Sequence, residues 1–251
     1  MRYFLKLSYD GTAFHGWQMQ EKSVSIQQEL TKKLSTILQE DVVITGCGRT
    51  DAGVHATEFY AHFDVERIGI EHDLLIHKLN TMLHQNIAVQ AIIPVGSDAH
   101  ARFDATKRSY TYLISRTKDA FRPNQVYKFN IELDLATMNK ACELLLGEKD
   151  FGCFCKSQTD NHTKICSVYS AKWIEEGTML RFEITANRFL RNMVRSIVGT
   201  MLDIGQGKTP LEEFEDIIRS KDRTRAGRSV PAHGLYLTRV EYPPETFLQN
   251  P

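Results

Sequence analysis

Residues 46–56, Gly46-Cys47-Gly48-Arg49-Thr50-Asp51-Ala52-Gly53-Val54-His55-Ala56, set a cation, a hydroxyl, a carboxylate and an imidazole among three glycines. Asp51 is the only acid in this stretch, so nucleophilic or acid–base chemistry here would fall to one carboxylate. On spacing alone, Asp-Ala-Gly reads first as an Asx-type turn and only second as a reactive site. Neither nucleotide-cradle pattern, GxxxxGK[ST] or GxGxxG, is present. His55 reads as a structural hydrogen-bonding group within the loop, and Cys47 as a small residue in a tight place.

Elsewhere the basic residues are unevenly spread. From Arg102 to Lys128, seven bases face only Asp104 and Asp119; from Arg219 to Arg228, five face only Asp222. A charge run is first a solvated loop, but two such runs also suit a polyanion. Arg188, Arg191 and Arg195 share one face of a helix expected over residues 188–204, opposite Leu190, Met193, Ile197 and Met201. Tyr110 and Tyr112 alternate in a strand, and their positions do not tell which faces a ligand. Cys153, Cys155, His162 and Cys166 have zinc-ligand chemistry, but their spacing is not that of a finger.

The elements that must carry these groups follow from periodicity. Residues 2–9 alternate as a strand, and Ser25 with Gln28 caps an apolar helical stripe from Ile26 to Leu38. Strands are expected over 41–45, 58–65 and 87–95, with a helix over 72–84. The second half repeats the order: a strand over 109–115, a helix from Asp134 to Leu146, strands over 166–175 and 179–185, helices over 188–204 and after Pro210, and a strand over 235–241. The fold class is therefore α+β: two ferredoxin-like βαββαβ halves whose antiparallel sheets meet at a central cleft. The halves are expected at residues 1–100, with the Asp51 loop, and 101–251, with Tyr110 and Arg195. No residue-level repeat accompanies the duplicated order.

Composition narrows the class. The 251 residues hold 31 Lys+Arg, 31 Asp+Glu and 42% hydrophobic residues, which excludes disorder, collagen and coiled coil. No apolar run approaches a membrane span, and the first residues lack a secretory leader. Five scattered cysteines suit reduced thiols in a cytoplasm.

Five blocks, in order, resemble the TruA-type tRNA pseudouridine synthases. They are Gly48-Arg49-Thr50-Asp51-Ala52-Gly53-Val54-His55-Ala56; the earlier stretch from Tyr9 to Gln18; Ala101-Arg102-Phe103-Asp104-Ala105-Thr106 with Tyr110-Thr111-Tyr112; the stretch from Phe189 to Gly199; and that from Pro231 to Leu237. The resemblance spans nearly the whole chain. It implies isomerisation of uridine to pseudouridine at positions 38, 39 and 40 of the tRNA anticodon stem-loop. It implies a homodimer in the cytoplasm, with no metal and no organic cofactor.

The resemblance also implies roles. Asp51 is the catalytic nucleophile at C1′, or the base that takes the 2′ proton on a glycal route. Arg195 is the cation that keeps Asp51 ionised, Tyr110 stacks on the extruded uracil, and Arg49 holds the nucleotide's vacated place. Flipping is required because C1′ and C5 are unreachable in a stacked helix. Two rivals stand beside this reading: a non-catalytic RNA-binding protein of the same fold, and a small-molecule α+β enzyme.

Overall fold

The computed structural model describes residues 1–156 and 163–247, which form ten β-strands and five α-helices. The fold is mixed α+β, built as two compact units: Met1–Lys107 together with the chain from Leu237 on, and Arg108–Tyr236. Among the described residues no helix is long and apolar enough to cross a membrane.

The first unit runs β1 (Arg2–Tyr9), α1 (Ile26–Leu38), β2 (Thr45–Gly46), β3 (His55–Asp64), α2 (His72–Met82) and β4 (Ile87–Val95), the expected βαββαβ order. β1 is central and antiparallel to both β3 and β4. Tyr3, Leu5, Leu7 and Tyr9 are buried as the alternation requires; Phe4 is buried on the other side. Ser25 Oγ accepts the Gln28 N–H, so the capping residue is the expected one. The strand expected over 41–45 shrinks to two residues. Its backbone groups are taken by side chains: Ser35 Oγ accepts the Val42 N–H and Gln27 Nε2 donates to the Ile44 carbonyl. Val42 and Ile44 are buried all the same.

The second unit contains β5 (Lys107–Ser115, entering from the boundary), β6 (Tyr127–Lys128), α3 (Leu135–Glu143), β7 (Gly147–Asp150), β8 (Ile165–Glu176), β9 (Met179–Ala186), α4 (Met193–Gly205) and α5 (Leu211–Ser220). β9 lies between β5 and β8, all antiparallel, and β7 extends the sheet beyond β8. Asp134 caps α3 by accepting the Thr137 N–H. Fully buried Tyr112, Phe154, Phe182, Ile197, Met201 and Phe214 form its core. The last strand, β10 (Leu235–Glu241), reaches the first unit at Leu237 and hydrogen-bonds beside β3. There the Val240 N–H donates to the Glu58 carboxylate.

His62, on β3, is buried, and its Nδ1 accepts the Ala101 N–H at 3.1 Å. Burial lowers its pKa to about 4, helped by Arg2 and His100 and opposed by Asp64 and Asp104. The unfolded imidazole, near 6.5, thus binds a proton that the folded one refuses. Stability should fall as pH drops from about 6.5 towards 4, by up to about 3 kcal/mol. Urea unfolding against pH measures it: His62→Gln is expected to flatten that slope, and an unchanged slope would assign it to other groups.

Candidate active site

The Asp51 loop enters from β2 and leaves into β3. It lies against the turn that follows β1, residues 10–17, through backbone contacts. Gly16 has φ +86°, and a Cβ there would crowd the Thr50 carbonyl oxygen and lie 3.1 Å from the Asp51 carbonyl carbon. A Cβ on Gly11 would collide with the Val54 carbonyl. The Trp17 N–H donates to the Thr50 carbonyl at 3.2 Å, and the Val54 N–H closes a turn on the Asp51 carbonyl at 3.1 Å. The buried hydroxyls of Tyr9 and Thr50 share a hydrogen bond of 2.9 Å. Trp17 in turn stacks on Phe59 of β3, ring centroids 4.1 Å apart, and Gly46 lies flat against its indole.

His55 is buried, and its Nδ1 accepts the Gly11 N–H at 3.1 Å. The same Nδ1 lies 3.2 Å from an Asp10 carboxylate oxygen, so the imidazole is tied to the turn after β1 by both contacts. The structural reading of His55 is therefore the one the geometry supports. Cys47 is buried, as a small packing residue would be. With Thr50 turned inward, Arg49 is exposed and Asp51 half-buried. This alternation is what an extended segment produces when it sends positions 49 and 51 to one side.

In the second unit the two candidate tyrosines part company. Tyr112 is fully buried and donates its hydroxyl to the Pro231 carbonyl at 2.8 Å; burial pushes its pKa up. Tyr110, on the same side of β5, is half-buried, with its ring 5.1 Å from Phe189 in an edge-on contact. Arg195, on the first turn of α4, donates from Nε to the Val230 carbonyl at 2.8 Å, while the Val230 N–H returns to the Arg195 carbonyl. The segment holding Val230 lies so close to α4 that a Cβ on Gly199 would collide with the Arg228 carbonyl.

The triple-arginine helix face is corrected. α4 begins at Met193, because Asn192 takes a left-handed conformation, φ +68°, and its Nδ2 donates to Ser229 Oγ at 2.6 Å. Asn tolerates that region where most residues do not. Arg188 and Arg191 therefore precede the helix, and only Arg195 is on it. The basic stretches are also less naked than their composition suggests: Arg116 pairs with Glu175, Arg122 with Asp119, Lys107 with Glu241, Arg219 with Glu215 and Arg225 with Glu213. Arg223 faces its own chain, donating to the Ala226 and Gly227 carbonyls.

All five cysteines are buried thiols. Burial pushes Cys142 and Cys153 up to about 12 and Cys166 up to about 11, far from thiolate reactivity. Among the described residues no group of three or more His, Cys, Asp or Glu side chains is placed to hold a metal; His162 lies outside the described residues.

The family model described as tRNA pseudouridine synthase matches residues 7–104 and 141–243. Proteins named tRNA pseudouridine synthase A are similar over almost their full length. That of Parabacteroides distasonis is 46% identical over 246 residues, 98% of each chain, and that of Bacteroides fragilis 47% over 247 residues, again 98% of each. That of Francisella tularensis subsp. novicida is 39% identical over 249 residues, 98% of this chain and 95% of the relative. The chain belongs to the tRNA pseudouridine synthase family. The matched segments take in Arg49, Asp51 and Arg195; Tyr110 falls between them.

For a tRNA pseudouridine synthase the supports of the loop matter as much as the loop. Tyr9, Gly11, Gly16 and Trp17 hold it, and no charge or spacing rule singles them out as functional; their visible mark is the block from Tyr9 to Gln18. Gly16→Ala would add both a clash and an unfavourable φ, and should lower stability by about 1–3 kcal/mol. Denaturant midpoints test this, and an unchanged midpoint would show that the loop yields freely.

Proposed function

We propose that this tRNA pseudouridine synthase acts at positions 38, 39 and 40 of the tRNA anticodon stem-loop, with Asp51 as its nucleophile. The carrying observation is the Asp51 loop: its backbone is fixed on glycine, and its lone carboxylate is half-buried. The reaction is an isomerisation. The C1′–N1 bond breaks, the detached uracil turns, the C1′–C5 bond forms, C5 loses its proton and N1 gains one. No oxidant and no second carboxylate are required.

In this reading the target nucleotide leaves the stem, the Asp51 carboxylate attacks C1′ as the C1′–N1 bond breaks, and C5 of the turned uracil then displaces it, breaking the Asp51–C1′ bond and freeing the carboxylate. Tyr110 stacks on the uracil and its hydroxyl takes the C5 proton. That choice is supported by the engagement of the Tyr112 hydroxyl with Pro231. Arg195 binds the nucleotide with a guanidinium steadied at Nε by Val230. Exposed Arg49 occupies the gap left in the stem. The chain works as a cytoplasmic homodimer, without metal or organic cofactor.

The test uses unmodified tRNA transcripts tritiated at C5 of uridine. Wild type should release tritium from transcripts with uridine at 38, 39 or 40 and not from those lacking it. Asp51→Asn should bind tRNA nearly normally and lose at least about 10³-fold in rate. An inactive wild type would leave only the RNA-binding alternative, and an active Asp51→Asn would remove the nucleophile. Arg195→Ala should slow release and lower stability, since the Val230 carbonyl loses its donor. Sedimentation at assay concentration should give the mass of two chains; a monomer would refute the dimer.

A further inference from the structure

We propose that Arg102 and Phe103, at the tip of the loop between β4 and β5, form a stacking platform for an unpaired RNA base; this rests on the tRNA reading above. Phe103 is 73% exposed, an unusual state for a large apolar ring. The ring is nevertheless held. It packs on His100 with centroids 4.3 Å apart, and the Arg102 guanidinium carbon lies 5.6 Å from its centre.

The backbone beneath is pinned from several sides. His100 Nδ1 accepts the N–H groups of Arg102 and Phe103 at 3.1 and 3.3 Å. The Asp104 carboxylate accepts the His100 N–H at 2.7 Å, and the Asp104 N–H returns to the His100 carbonyl. His62 accepts from Ala101, and the Tyr242 hydroxyl donates to the Ala101 carbonyl at 2.6 Å. A loop so fully bonded presents its apolar ring to water as a fixed feature of the fold.

What suits such a surface is a flat partner with a π-face and negative charge nearby. A nucleobase with its phosphate has both, since it can stack on the ring while the phosphate meets the guanidinium. A paired base has its faces covered by its neighbours, so the partner is a base outside a duplex. The Asp104 carboxylate is turned to its own backbone, which reduces its opposition to a phosphate. The platform is also distant from Asp51: its anchor His62 lies seven residues beyond His55 on β3, roughly 23 Å at strand rise. The base it holds is therefore not the target uridine, and the platform acts on tRNA capture.

The native tryptophans, Trp17 and Trp173, are buried and emit at shorter wavelength, so the red-shifted emission that F103W adds to that of wild type reports on position 103. Adding a tRNA transcript should quench that emission, whereas heparin, an anion without bases, should not. F103A should raise KM for tRNA about tenfold, the effect of one lost base stack, with a much smaller change in kcat. F103Y should restore KM and F103L should not. Normal KM in F103L, or no quench with tRNA, would overturn the platform. So would F103A that falls apart into monomers while keeping its KM, which would make this surface a contact between copies. Tritium release by wild type in the same assay judges the catalytic reading separately. If it fails, the quench by tRNA over heparin still decides the platform.

Discussion

The functional reading depends on backbone pressed against backbone. Between the turn after β1 and the Asp51 loop, carbonyl groups of residues 50–54 rest where Cβ atoms of Gly11 and Gly16 would be. Contacts of this kind have little freedom, because no side-chain rotamer can relieve them. The place from which the Asp51 side chain departs thus follows from the course of the main chain. The Tyr9–Thr50 hydroxyl pair and the Trp17 N–H add polar ties to the same few residues. In the proposed mechanism, holding this loop in advance removes a cost that a mobile loop would meet at every turnover.

The second unit uses the same device for a different side chain. The segment at 228–230 crosses α4 where Gly199 leaves room, and two hydrogen bonds join Val230 to Arg195. Arg223, which composition counts among the RNA-binding charges, is engaged in holding that segment's backbone. Many of the other charges in the basic stretches are paired at the surface, where each pair contributes little to stability. Electrostatic attraction for a polyanion thus rests on a smaller set of cations than the sequence suggests. The family match, more than net charge, distinguishes this chain from a small-molecule enzyme.

Much of the architecture was legible because local signals agreed. The alternation of Tyr3, Leu5, Leu7 and Tyr9, the Ser25 cap and the Asp134 cap are each set by neighbours in sequence. The failures have tertiary causes. Val42 and Ile44 look like strand residues, but side chains of α1 take their backbone groups. Asn192 delays the start of α4 to Met193 because its bond to Ser229 stabilises a left-handed residue. The return of β10 to the first unit is a matter of topology, which periodicity does not encode. For the site, the Asp51 loop stood out by its residue types, and resemblance supplied its meaning. Burial, invisible in a single strand pattern, is what separates Tyr112 from Tyr110.

In the proposed mechanism the position of the Asp51 carboxylate, and not merely its charge, makes the reaction possible. Single-turnover measurement of tritium release by Asp51→Glu, beside tRNA binding by the same variant, tests it most directly. Unchanged tRNA affinity and a rate at least about 10²-fold lower are expected, because one added methylene displaces the oxygen by more than an ångström on a loop held by backbone contacts. A rate close to that of wild type would contradict it.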